Sequence, residues 1–464
     1  MKRYGILRVK KDEGAKAIPI VPVIHSEFKS WLKGQSKLIN NLAASYKYSA
    51  APATCLLVTN QHGKLEKVIL GLETADDFRS FGVLPNLLPA GKYQIAGSAY
   101  SDYRLVRVLV GWGLGSYRFN EYLRETLPGA VLTSTDLKAL AQAALELEAI
   151  YLVRDLVNRP ANDLYPAEIA KLSCRIAKKY GAKVVIVSGK QLAKEFPGIY
   201  AVGKGSCREP LLVDLSYGKP GDPKLALVGK GVCFDSGGLQ IKSAAGMELM
   251  KKDMSGAAHV LALGQLIMKS KLPINLRVIM PLVENLPSGS SMKPGDIIKT
   301  RKGITVEVVN TDAEGRLILA DALTLASQWR PQMILDFATL TGAAQVALGA
   351  DITALFSNNE ILARKFVEAA TEEQEPLWQL PLYQPYLKGL KSDFADLMNI
   401  SKGGGGGAIV AALFLEQFIL DKTDWIHLDL CSYNSKTLPG RSIGAEADCL
   451  RGVFNYLRDR FCKR

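Results

Sequence analysis

The chain has 464 residues, with 58 Lys+Arg against 45 Asp+Glu, a net charge of +13, and only four histidines. That length favours two domains, and 48% hydrophobic against 22% charged residues excludes a disordered chain. Three-histidine zinc chemistry is disfavoured, because His25, His62, His259 and His427 lie in distant segments, and the basic balance alone is weak evidence for an acidic partner.

The first residues, MKRYGILRVKKDEG, lack an apolar stretch after their charges, so no secretory signal is expected. No window reaches the ~18 consecutive apolar residues of a spanning helix; the longest candidate, 408–420, is interrupted by Glu416 and Gln417. Seven cysteines, odd in number and without CxxC spacing, argue against a disulfide framework or thiolate zinc site. The expectation is a cytoplasmic protein with reduced thiols and no membrane association.

Residues 1–134 mix short apolar runs, such as 56–59 and 105–110, with Gly and Pro, and read as a small N-terminal α/β domain for assembly or regulation. A connecting helix over 135–158 follows, opening at Ser134/Thr135 and stopped by Asn158-Arg159-Pro160. From 159 to 464 the pattern alternates strand and helix. Apolar runs at 183–187, 211–215, 225–229, 276–280, 304–309, 333–337 and 425–430 are separated by helical stretches at 166–180, 255–269, 315–328 and 408–420. Such alternation predicts an α/β fold whose larger C-terminal domain carries a central, mainly parallel sheet covered by helices on both faces.

Three glycine clusters invite a nucleotide reading and fail it. Gly111-Trp-Gly-Leu-Gly115, taken to follow a strand, has its third glycine one residue early for a dinucleotide fingerprint. Gly229-Lys230-Gly231 lacks the other P-loop residues, and the 403–407 glycine tract reads as well as a loop close to ligand as an anion site.

Two segments place ionisable residues at strand ends, where α/β sites are built. The run after 225–229 carries Lys230, Asp235, Lys242 and Asp253; the run after 304–309 carries Asp312, Glu314 and Arg316, each two residues apart. Four carboxylates in one pocket need compensation, which two divalent cations would supply. Carboxylate ligands suit Zn, Mn or Mg alike. The competing reading is a salt-bridged network of the same acids with Lys230, Lys242 and Arg316.

Asn310-Thr-Asp-Ala-Glu-Gly-Arg-Leu317 resembles the signature octapeptide of the leucine aminopeptidase family of dinuclear metallopeptidases. Gly229-Lys230-Gly-x-x-Phe234-Asp235-Ser-Gly-Gly238, Ala338-Thr-Leu-Thr-Gly342, Trp425-x-His-Leu-Asp429 and Asp155-Leu-Val-Asn158 are similar to further blocks of that family, so the resemblance covers about 105–464. It implies two metal ions per subunit, Zn or Mn first and Mg or Co next. One would sit on Lys230, Asp235, Asp253 and Glu314, the other on Asp235, Asp312 and Glu314. It further implies a two-metal-activated hydroxide, Lys242 as electrophile, and Arg316 holding bicarbonate as general base.

By the same resemblance Leu340 positions the substrate amino end, while Met250, Thr339 and Gly342 line the side-chain pocket, with Cys431 and Asn434 on its far wall. Met250 suits apolar residues, so release of N-terminal Leu or Met from short peptides is expected. The resemblance also implies a homo-hexamer in the cytoplasm. Met250 by spacing alone could be core; His259, His427 and Trp425 read as structural, and Lys178-Lys179 and Lys251-Lys252 as solvated faces. A DNA-binding regulator or recombination accessory is the alternative; the +13 permits it, but no nucleic-acid motif appears.

Overall fold

A computed structural model describes residues 1–9, 17–97, 100, 102–123, 129–420 and 423–462. The chain divides into two compact units, 1–151 with 434–444, and 152–433 with 445–464.

In the first unit β1 (Ile6–Arg8), β2 (Ile18–Ile24), β3 (Cys55–Thr59), β4 (Leu65–Leu72), β5 (Gly91–Ile95) and β6 (Ala130–Ser134) form a six-stranded sheet in the order β1-β6-β5-β2-β4-β3. Every pairing is parallel except β3 with β4. The run 105–110 is not a strand: it lies in the helix Asp102–Ser116. Its β-branched residues favour a strand by propensity, but packing decides. A Cβ on Gly111 or Gly115 would collide with the carbonyls of Phe78 and Gly82, and one on Gly113 with the Leu147 side chain. The three glycines therefore serve close helix packing rather than a phosphate.

The next helix, Leu137–Asn158, is capped by Asp136, whose Oδ1 accepts from Lys138 and Ala139 N–H at 2.9 Å each. Asp136 thus takes the place expected of Ser134 or Thr135.

The second unit contains β7 (Lys183–Ser188), β8 (Leu211–Tyr217), β9 (Lys224–Gly229), β10 (Gly231–Asp235), β11 (Asn275–Asn285), β12 (Ile297–Lys299), β13 (Thr305–Glu307), β14 (Met333–Ala338), β15 (Thr353–Ser357), β16 (Leu377–Gln379), β17 (Leu397–Met398) and β18 (Asp424–Asp429). Nine of these build one sheet in the order β16-β15-β18-β14-β9-β11-β8-β7, with β10 also on β11. Its centre, β18-β14-β9-β11, is parallel, while β15, β8 and β7 bring antiparallel pairings toward the edges. The 304–309 run is a strand, but not of this sheet; β13 joins β12 and β17 in a small three-stranded sheet.

The helices Ser255–Ser270 and Gly315–Gln328 are buried along nearly their whole length, as expected of helices apolar all round. Ala226 and Val228 of β9 join Leu317, Ile318 and Leu323 in one apolar core. Both helices begin beside the ends of the parallel strands. That placement brings their N-terminal residues to the site.

Candidate metal centre

The site forms where β9 breaks. At Lys230 the chain leaves the ladder: its N–H donates to the Phe337 carbonyl (2.9 Å) and its carbonyl accepts from Ala257 N–H (2.8 Å). The strand resumes as β10, with a register shift between Val232 and Asp235. The Lys230 side chain therefore leaves the sheet at a pinned point, and Asp235 is delivered at the end of β10.

Asp253 lies in a 3-10 turn, Met250–Met254, that runs into the helix Ser255–Ser270, and Glu314 directly precedes Gly315–Gln328. Helix N-termini favour negative charge, which helps both acids tolerate burial. Gly315 matters here for its missing side chain. A Cβ there would press into the Lys230 side chain, 2.8 Å from Nζ.

Lys230, Asp235, Asp253 and Glu314 are all buried, with at most 3% of each exposed. The Lys230 ammonium lies 2.7 Å from Asp253 Oδ1, 2.9 Å from the Thr339 carbonyl and 3.1 Å from Glu314 Oε1. Lys242 Nζ reaches Asp235 Oδ2 at 2.8 Å and also pairs with Asp312, which is partly exposed. Asp235 Oδ1 accepts from Asn285 Nδ2 (2.8 Å) and Gly237 N–H (2.9 Å). Carboxylate oxygens of Asp235, Asp312 and Glu314 come within 4.8 Å of one another.

Charge in this cluster is unbalanced, with four carboxylates facing two ammoniums. Burial, and then the neighbouring carboxylates, push Glu314 and Asp253 above the ordinary range. Burial alone would lower Lys230, but Asp253, Glu314 and Asp235 hold it protonated and raise it. Asp253 Oδ2 and Glu314 Oε2 are buried with no hydrogen-bond partner. Buried carboxylate oxygens without partners are costly, so the donor set fits hard or borderline divalent cations.

Arg316 is nine-tenths buried; its Nη1 donates to the Asn399 carbonyl at 2.7 Å, while Nε has no partner. Burial lowers its pKa to about 10, which still leaves it charged at neutral pH. Beside it opens a cavity of about 330 Å³ lined by Asp312, Leu340, Gly342, Ile400 and part of the 403–407 glycine tract. Leu340 and Gly342 thus reach the cavity. Thr339 turns away, its hydroxyl donating to Asp253 Oδ1 at 2.7 Å, and the half-buried Met250 is not on the lining.

The supporting residues were not evident from spacing. Asn399, fully buried, accepts from Val309 (2.7 Å) and Asn310 (3.2 Å) N–H and donates to the carbonyls of Asn310 (2.6 Å) and Ala313 (3.3 Å). It clamps the loop carrying Asp312 while its own carbonyl holds Arg316. Asp429 accepts from Leu340 N–H (2.9 Å), Thr341 N–H (3.2 Å) and Thr341 Oγ1 (2.6 Å), fixing the loop after β14.

Lys252 corrects an expectation. It is buried rather than solvated and donates to the Cys431 carbonyl at 2.9 Å, whereas Lys178 and Lys179 are exposed. His259 bonds the Ser255 carbonyl at 2.7 Å, and His427 and Trp425 share Asp336 at 2.6 Å each, within the core. Asn434 falls in the first unit and donates to the Ser442 carbonyl at 3.2 Å.

The catalytic-domain model of the cytosol aminopeptidase family matches residues 151–450, and the N-terminal-domain model of M17 aminopeptidases matches 18–134. The chain belongs to the cytosol aminopeptidase family. It is accordingly a hydrolase, a metallo-exopeptidase acting on peptides, and the family implies divalent metal ions.

A probable cytosol aminopeptidase of Syntrophotalea carbinolica is 45% identical over 344 residues, covering 70% of this chain and 69% of that protein. The crystal structure of a cytosol aminopeptidase from Coxiella burnetii superimposes with a TM-score of 0.94 at 44% identity, covering 98% and 99% of the two chains. The bottromycin maturation enzyme BotP, solved in complex with Mn, gives 0.86 at 31% identity over 96% and 99%. These likenesses favour the aminopeptidase over the DNA-binding alternative. Among the described residues no helix is long and apolar enough to cross a membrane.

Proposed function

We propose that this cytosol aminopeptidase releases N-terminal residues, Leu and Met preferred, from short peptides with a free amino end. Two divalent ions would be held by Lys230, Asp235, Asp253, Asp312 and Glu314, Zn or Mn first, Mg or Co next. The observation carrying the proposal is the buried carboxylate cluster with two unpartnered oxygens, Asp253 Oδ2 and Glu314 Oε2. When bound, such ions polarise the scissile carbonyl and lower the pKa of water.

The chain's own residues do the rest. Lys230 must give up its proton to serve as a ligand, and adjacent dications favour that loss. Lys242, whose Nζ pairs with Asp235 and Asp312, would donate to the oxygen that gains charge as the carbonyl becomes tetrahedral. Arg316, with Nε unpartnered beside the cavity, would hold a bicarbonate, which would supply a general base. The Leu340 carbonyl accepts from the substrate amino end. In this reading Gly342 lines the side-chain pocket where it opens on the cavity, and Met250 and Thr339 would border it from outside that cavity.

We assign the enzyme to the cytoplasm as a homo-hexamer. Hydrolysis of a leucyl amide by purified protein, before and after chelation, tests the reading. Activity should vanish with chelator and return with Zn, Mn, Mg or Co. Activity unaffected by chelation would overturn it.

A further inference from the structure

A cleft of about 830 Å³ in the second unit lies away from the metal centre. The helices Gly189–Glu195 and Pro197–Gly203 form one side, and the β12–β13 hairpin forms the other. Four basic residues line it, Lys194, Lys204, Lys299 and Arg301, against two acidic ones, Glu195 and Asp296.

Arg301 is committed: its Nε donates to Gln328 Oε1 (3.0 Å), its Nη1 to the Glu195 carbonyl (3.2 Å), and Glu195 Oε2 lies 3.8 Å away. Asp296 Oδ2 accepts from Lys293 N–H at 2.9 Å. The ammoniums of Lys194, Lys204 and Lys299 have no partner among the described residues, so the cleft keeps a positive excess. Its floor is apolar, from Pro197, Ala201 and Ile297, the last 50% exposed.

The hairpin also presents a free strand edge. β12 ends its sheet, in the order β12-β13-β17. Thr300 N–H bonds Ile304 and Val308 N–H bonds the Asp296 carbonyl, so Asp296, Ile298 and Thr300 turn their backbone groups to β13. By alternation, Ile297 and Lys299 turn theirs to the open edge. An open edge flanked by unpaired lysines and an apolar floor matches one kind of guest.

We propose that this cleft docks an extended acidic polypeptide segment, which adds a strand along β12 and pairs its carboxylates with Lys194, Lys204 and Lys299. The apolar floor accepts its alternate side chains. Among the described residues no aromatic ring lines the cleft to stack bases, which favours a peptide over single-stranded nucleic acid.

The test uses full-length protein and a fluorescein-labelled, N-acetylated peptide of alternating Glu and Val, read by anisotropy. The acetyl group keeps exopeptidase action from trimming the probe. Binding should weaken about tenfold between low and near-physiological salt, since exposed pairs are screened. It should weaken at least tenfold in the Lys194→Glu, Lys204→Glu, Lys299→Glu variant, with leucyl-amide hydrolysis unchanged. A Lys-for-Glu version of the probe should not bind.

Equal binding of both probes, tighter binding of an oligo-dT of matched charge, or no binding to the wild type would each overturn the proposal. So would a change in the triple variant's elution volume, which would show the cleft covered by another copy. If the triple variant misfolds, the exposed Lys299→Glu change alone must still weaken binding.

Discussion

Replacing Gly315 by alanine isolates the placement of one side chain, Lys230. The new methyl carbon would lie 2.8 Å from Lys230 Nζ and closer still to Cε, where non-bonded carbons rest at about 3.5–4 Å. Lys230 must therefore retreat by about 1 Å. Its contacts at 2.7, 2.9 and 3.1 Å would stretch toward or beyond the hydrogen-bond limit. Breaking a buried pair from one side costs about 3–5 kcal/mol at full loss, and partial retreat gives less, about 1–2 kcal/mol. Alanine's better helix propensity returns at most ~1 kcal/mol.

The effect on turnover should be larger than the effect on folding, since an error of about 1 Å in a catalytic group costs roughly a hundredfold. Leucyl-amide hydrolysis, thermal unfolding and metal content measured together decide the matter. A modest loss of stability, weakened metal retention and about a hundredfold loss of kcat/KM are expected. Wild-type turnover with full metal content would refute the claim that Gly315 makes room for Lys230.

Three further outcomes follow from the site and core. Lys242→Ala should lower kcat by about 10²–10³ while metal content, measured by elemental analysis, stays at the wild-type level; loss of metal instead would place Lys242 in a structural role. Asn399→Ala removes the hydrogen bonds to the Val309 and Asn310 N–H groups and leaves the buried Ala313 carbonyl without its side-chain donor, so urea unfolding should show a loss of about 3 kcal/mol and metal affinity should fall. Unchanged stability would show that the loop holds itself. Burial depresses His259 from 6.5 to about 4, so it is neutral in the fold and gains a proton on unfolding below pH 6.5. Its neutral-state contribution is full above that pH and fades as pH falls toward 4, by about 3 kcal/mol. The stability gap between wild type and His259→Gln should shrink accordingly, and a gap independent of pH would contradict it.

The reach of the sequence differs between side chains that do chemistry and those that hold them. Lys230, Asp235, Asp312, Glu314 and Arg316 were legible because they sit at strand ends in two short, charge-dense runs. The alternating apolar runs likewise foretold the parallel centre of the large sheet. Asn285 and Asn399 were not legible: each reaches the site from a segment with no local signal, and only folding brings their amides to Asp235 and the Asn310–Ala313 carbonyls. Close packing also overrode local pattern. The 105–110 run became part of a helix because Gly111 and Gly115, just after it, let backbone approach backbone, and Lys252 was buried because the Cys431 carbonyl receives its ammonium.

The most direct test of the account is the metal content of the Asp253→Ala variant beside the wild type, with folding checked on the same samples. The wild type should hold two divalent ions per chain. The variant should remain folded, lose one of the ions and lose leucyl-amide hydrolysis. A variant that keeps both ions and full activity would contradict the assignment of the buried carboxylate cluster as the catalytic metal centre.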